Sequence, residues 1–218
     1  MSDLAGGRLL VRHTFGERTN HWMLALTFIL AALSGLALFH PALFWLSELF
    51  GGGPWTRILH PYVGLLAALL FLLFVAGLWR DAQLTPADWQ WLRRMQEVIH
   101  NRDASLPEVG RYNAGQKLLI WVLLLAMLGL LLSGIVIWRA YFALYFPIGM
   151  VRLASLVHAV SAFVAICGII VHVYSAFWIK GSIAGMLHGT VTPGWAWKNH
   201  RAWFRQVTHD AHSRAGPD

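Results

Sequence analysis

The stretch "LVHAVSAFVAICGIIVHVYSAFW" (residues 156–178) decides the fold. It runs twenty-three residues without a Lys, Arg, Asp or Glu. A helix needs roughly 20 apolar residues to cross a hydrocarbon core of about 30 Å, and this run is long enough. In lipid it has to be helical, because backbone polar groups there must bond within their own segment. His158 and His172 nevertheless sit inside it.

Three more runs of this kind precede it, giving spans at about 21–39, 57–79, 117–138 and 153–179. The predicted fold is therefore an all-α integral membrane bundle of four transmembrane helices, read as one membrane domain over residues 1–218. Composition agrees. Only 12% of the 218 residues are charged and 57% are hydrophobic, against about 25% charged in soluble domains. The opening "MSDLAGGRLLVRHTFGERTN" is too polar for a signal-peptide core, so the first span is expected to insert uncleaved. The single Cys167 excludes an intramolecular disulfide and any Cys-ligated zinc or iron–sulfur site within the chain. No C-x-x-C-H is present for covalent haem attachment.

The charges orient the bundle. Of 17 Lys and Arg residues, only Arg57, Arg139 and Arg152 fall on one side. The rest, Arg8, Arg102, Arg111, Lys117 and Arg214 among them, lie in 1–20, 80–117 and 180–218. By the positive-inside rule both termini are cytoplasmic. That rule also accounts for the net charge of +7 without nucleic acid as a partner. On the same side, "TPADWQWLRRMQEVIH" (85–100) offers Thr85 as N-cap and Pro86 at the first helical position. Trp91, Leu92, Met95, Val98 and Ile99 recur there at helical spacing, which predicts an interfacial amphipathic helix. The tail "PGWAWKNHRAWFR" mixes aromatics and cations and is also expected at the interface.

The histidines carry the chemistry. Fourteen residues are about 3.9 turns, so His158 and His172 project within roughly 40° of each other and about 21 Å apart along the axis. His21 opens the first span at the cytoplasmic depth, and His60 lies early in the second at the external depth. Depth alone pairs His60 with His158, and His21 with His172. Ionisable residues inside a span are rare and mark functional interiors. Imidazole is a common axial ligand of haem iron, and no carboxylate or thiolate accompanies these four. Two stacked bis-histidine sites follow, read as haem sites. Gly35, Gly64, Gly134 and Gly168 would let a macrocycle pass close to the helices, or serve ordinary small-residue packing. His13, His40, His100, His188, His200, His209 and His212 are expected to be solvated or interfacial.

At "YNAGQK" (112–117), Asn113 and Gln116 offer neutral donors and acceptors for a quinone carbonyl, and Gly115 offers room for its ring. Asn113 followed by Gln116 is equally a variant capping box. Two readings of another kind stay open: a histidine-based membrane transporter, and an electron conduit to a soluble acceptor without quinone. The spans offer the first only scattered hydroxyls such as Thr27, Ser34, Ser133 and Ser161.

"RILHPYVGLLAAL", "VGRYNAGQK", "SGIVIWRAYFALYFP", "HVYSAFWIKGSIAGMLHG" and "NHRAWFR" resemble the gamma (cytochrome b) subunit of respiratory formate dehydrogenase, over about residues 8–206. Related cytochromes b of hydrogenases and thiosulfate reductases are the alternative, with loops less like these. The resemblance implies two b haems, an outer one on His60 and His158 and an inner one on His21 and His172. It implies menaquinone or ubiquinone bound at Asn113, Gly115 and Gln116 on the cytoplasmic side. It also implies an external iron–sulfur beta subunit, a molybdenum- or tungsten-pterin alpha subunit, assembly of three such heterotrimers, and the bacterial inner membrane. No formate site belongs to this chain; its part is electron transfer.

Overall fold

The computed structural model describes residues 9–100 and 107–215. Arg8 and Arg102, counted above toward the charge asymmetry, lie outside the described residues, as do the side chains of Val98, Ile99, His212 and Arg214. The element order is β1 (Leu10–Val11), α1 (Phe15–Phe39), a 3₁₀ segment (Pro41–Phe50), α2 (Gly53–Leu78), α3 (Pro86–Arg93) and α4 (Met95–Ile99). It continues with α5 (Ala114–Ile137), a 3₁₀ turn (Ala143–Tyr145), α6 (Ile148–Trp178), α7 (Ser182–His188), β2 (Thr190–Val191), α8 (Pro193–Asn199) and α9 (Arg201–Ala215).

Four of these, α1, α2, α5 and α6, are long and apolar enough to cross a membrane. Only 11–33% of their most apolar stretches is buried within the chain, which suits helices whose outer surface meets lipid rather than water. Each begins several residues before the apolar run that betrays it, and at α1 and α5 a polar cap extends it. At α1 the Thr14 N–H donates to Glu17 Oε2 at 2.8 Å, and the Glu17 N–H donates to Thr14 Oγ1 at 3.2 Å. That reciprocal pair is a capping box. It starts the helix at Phe15, six residues before His21.

The chain groups into two compact units. One comprises residues 19–77 and 122–174 and so holds most of the four long helices. Ala37, Ala67, Ala68 and Ala165 are among its buried residues, small side chains of the kind that let helix backbones approach in membranes. The other comprises the chain up to Arg18, Leu78–Trp121 and the chain from Ser175. Here β1 pairs antiparallel with β2, Leu10 opposite Val191. Val191, Ala196 and Trp203 form a buried cluster, with Leu10, Trp195, Phe204 and Val207 packed against it.

One expectation for this second unit needs correction. The single amphipathic helix over 85–100 is broken: α3 ends where the Arg94 N–H turns back to the Trp91 carbonyl at 3.1 Å, and α4 restarts at Met95. A three-residue hydrogen bond tightens the last turn and re-aims the chain. Thr85 and Pro86 do open α3, with Thr85 N–H and Oγ1 both donating to Asp88 Oδ2 at 2.7 Å. In the aromatic tail Ala196 is 0% exposed, and Trp203 sits in the cluster beside it.

Candidate haem sites

Within the helical unit the four histidines meet in the pairs that depth predicted. His60 of α2 faces His158 of α6 with ring centroids 6.2 Å apart and planes at 73°. His21 of α1 faces His172 of α6 at 6.1 Å and 50°. A metal–imidazole bond is about 2 Å. With each ring's radius added, two imidazoles opposed across one metal have centroids about 6 Å apart. Among the described residues no three His, Cys, Asp or Glu side chains converge on one point. A metal held by two imidazoles alone must therefore bring its other donors with it, as haem iron does.

Glycines let the outer pair sit close against the neighbouring helices. A Cβ added at Gly35 would stand 3.1 Å from His60 Cε1, and one at Gly134 would stand 3.4 Å from His158 Cε1. Gly35 and Gly134 thus let the two rings seat against the backbones of α1 and α5. Gly64 has no neighbour within 4 Å of where its Cβ would lie. At the inner pair, His21 packs edge-on to Trp22 at 5.3 Å and against Phe74 at 6.0 Å. His21 Nδ1 is buried without a hydrogen-bond partner among the described residues. The residues present fit haem b, with His60 and His158 as one axial pair and His21 and His172 as the other.

Two residues that matter here were passed over as scattered hydroxyls. Ser34 Oγ lies 2.9 Å from His60 Nδ1, and Ser133 Oγ lies 3.0 Å from His158 Nδ1. Each precedes a glycine just described, so "LSG" at 33–35 and again at 132–134 performs the same task twice. Each serine stands 26 or 25 residues before the histidine it touches. The tripeptide repeated on α1 and α5 was the signal that could have found them.

The loop motifs build the other unit. Arg111 Nη2 donates to the Arg12 carbonyl and to Glu17, and Nη1 to Asp81, while Arg12 Nη2 donates back to the Arg111 carbonyl at 2.8 Å. Arg12 Nη2 also meets His200 Nε2 at 3.1 Å, and His200 Nδ1 meets the Gly110 carbonyl at 2.8 Å. His200, expected to be solvated or interfacial, is not solvated: it is 3% exposed and ties the tail to the loop. Arg12 lies over the rings of Trp195 and Trp203. Burial lowers its guanidinium to about 10. Asn113 and Gln116 form a reciprocal cap on α5, Asn113 N–H to Gln116 Oε1 at 3.0 Å and Gln116 N–H to Asn113 Oδ1 at 2.8 Å. The ring nearest Gly115 is the Trp91 indole, 3.6 Å from where a Cβ would lie. Lys117 Nζ reaches Asp88 Oδ2 at 2.8 Å. Burial works to raise the Asp88 carboxyl, but the hydrogen bonds from Lys117 and Thr85 outweigh it and hold it below its ordinary value.

Four apolar helices that oppose two pairs of imidazoles define a membrane-embedded haem-binding bundle. The chain belongs to the prokaryotic cytochrome b561 family, which it matches over residues 12–189. It is 40% identical to the cytochrome b556(Fdn) subunit of the nitrate-inducible formate dehydrogenase of Escherichia coli K12, over 94% of both chains. It is 39% identical to the formate dehydrogenase cytochrome b556 subunit of Haemophilus influenzae, over 94% of this chain and 86% of that one. To the cytochrome b556(fdo) subunit of Escherichia coli K12 it is 38% identical, over 94% and 97%.

Proposed function

We propose that this chain is the dihaem cytochrome b subunit of a membrane-bound formate dehydrogenase, carrying electrons from an external iron–sulfur subunit to quinone on the cytoplasmic side. The observation that carries this is the double opposition of imidazoles, His60 to His158 and His21 to His172, in one helical unit. Likeness to formate dehydrogenase cytochrome subunits over nearly the whole chain supplies the donor. Haem b, when bound, supplies reversible one-electron chemistry between that donor and quinone. The chain's own part is to hold two imidazole pairs at the spacing of one metal each and to surround them with apolar helix.

The charge asymmetry supports cytoplasmic termini and a bacterial inner-membrane setting. Asn113, Gly115 and Gln116 are the proposed quinone contacts. Their carboxamide oxygens cap α5, which leaves the amide N–H₂ groups as donors to a quinone carbonyl. The iron–sulfur and molybdenum- or tungsten-pterin subunits, and a trimer of such heterotrimers, complete the proposed assembly. The histidine transporter gains nothing from the geometry, since Ser34 and Ser133 serve the histidines themselves rather than a relay along the helices.

The test is spectral. His60→Ala or His158→Ala should remove one b-type component from the reduced-minus-oxidised spectrum and leave the other, and His21→Ala or His172→Ala should do the reverse. Loss of one common component by His60→Ala and His21→Ala would dismantle the pairing. A full set of variants with no haem signal to lose would overturn the dihaem reading in favour of the transporter.

A further inference from the structure

We infer that Ser34 and Ser133 are positioning residues that set the redox potential of the outer haem below that of the inner one. This rests on the dihaem reading above and adds what makes its two sites unequal.

The hydroxyl protons decide the tautomers. Ser34 Oγ donates to the Leu30 carbonyl at 2.7 Å, and Ser133 Oγ donates to the Gly129 carbonyl. A serine hydroxyl has one proton. With that proton committed to the helix backbone, each Oγ can only accept from the imidazole beside it. His60 and His158 are therefore both Nδ1–H donors, and both present the Nε2 lone pair to a metal. An outer N–H···O bond of this kind fixes ring orientation and raises ligand basicity. A more basic axial ligand favours ferric over ferrous iron, which lowers the potential.

The inner pair lacks this support at His21, whose Nδ1 is buried with no partner among the described residues. It donates less density, so its haem is the easier to reduce. The difference points electrons from the outer pair toward the inner pair, the direction that an external donor and a cytoplasmic acceptor require. The arrangement is also duplicated: α1 supports the histidine of α2 as α5 supports that of α6, each with a Ser–Gly step. Both axial ligands of the outer haem are tuned, and tuned alike.

The experiment is a spectroelectrochemical titration of the intact complex in native membranes, with both b components resolved. Ser34→Ala and Ser133→Ala should each move the outer midpoint potential positive, the double variant by about the sum, with the inner potential unmoved. Haem content is measured in parallel. Should an alanine variant lose its haem, Ser34→Thr and Ser34→Val replace it. They are nearly isosteric, and only Thr keeps the hydroxyl, so Thr should hold the wild-type potential and Val should shift it. Unchanged potentials, or a fall, overturn the inference while the histidine pairs stand. If His60→Ala and His158→Ala leave both haems in place, it is the dihaem reading that fails instead.

Discussion

A buried imidazole that accepts a hydrogen bond from a guanidinium has to stay neutral, and His200 is such a group. Burial first, and then the charge of Arg12, push its pKa from 6.5 down to about 3. The unfolded tail takes up a proton near pH 6.5 that the folded tail refuses until about 3. Stability from neutral His200 is therefore fully present above pH 6.5 and drains away as pH falls toward 3, at up to about 1.4 kcal/mol per pH unit. Arg12, at about 10, stays charged throughout. Hydrogen exchange of the α8 and α9 amides in nanodiscs should show protection falling between pH 7 and pH 5. His200→Gln, which can still donate to Gly110 and accept from Arg12, should flatten that dependence. A wild-type profile with no slope over this range would remove His200 from the account. Side-chain chemistry alone did not distinguish His200 from His209, since Arg12 and Gly110, which His200 bonds, come from loops far off in the chain. The four paired histidines, by contrast, were legible as a group, because an imidazole in an apolar run stands out by its cost.

At the scale of elements, the spans were legible from composition, and their true ends were not. Phe15 opens α1 because Thr14 and Glu17 cap each other, a signature present in "TFGE" but set among polar residues ahead of the apolar run. The break at Arg94 was illegible, since Trp91, Leu92 and Met95 keep helical spacing on either side of it. The start of α5 tests what a cap can also do. Asn113 and Gln116 satisfy two backbone donors, and Asn113→Ala should cost about 1 kcal/mol of stability for the lost cap. If the same carboxamides hold quinone, Asn113→Ala should also cut quinone reduction tenfold or more, with both haems still reducible by the donor. Normal quinone kinetics in a protein that melts earlier would leave Asn113 a cap and nothing else.

For the molecule as a whole, charge and apolar surface divide the labour. The proposed external segments carry Glu48 as their lone acid, beside Arg57, Arg139 and Arg152, and otherwise present aromatic and aliphatic faces. Within the helical unit Tyr62 Oη meets Tyr141 Oη at 3.0 Å, and Trp138 packs against both rings. This anchors the turn that carries Leu144, 92% exposed, and Tyr145, 83% exposed. Trp45, Leu49 and Trp55 are exposed as well. Side chains this large and open at a turn are poorly suited to water and mark a surface awaiting a partner. The proposed occupant is the iron–sulfur subunit, because in the proposed path electrons enter on the side of His60 and His158. Burying Leu144 and Tyr145 would contribute about 3 kcal/mol, roughly a hundredfold in affinity. Leu144→Glu with Tyr145→Glu should therefore strip the iron–sulfur subunit from the purified complex while leaving both haem b signals at wild-type strength. Loss of haem along with the partner would mean the turn supports the bundle itself. Co-purification at the wild-type ratio, with haem intact, would mean these side chains face lipid headgroups and the docking surface lies elsewhere.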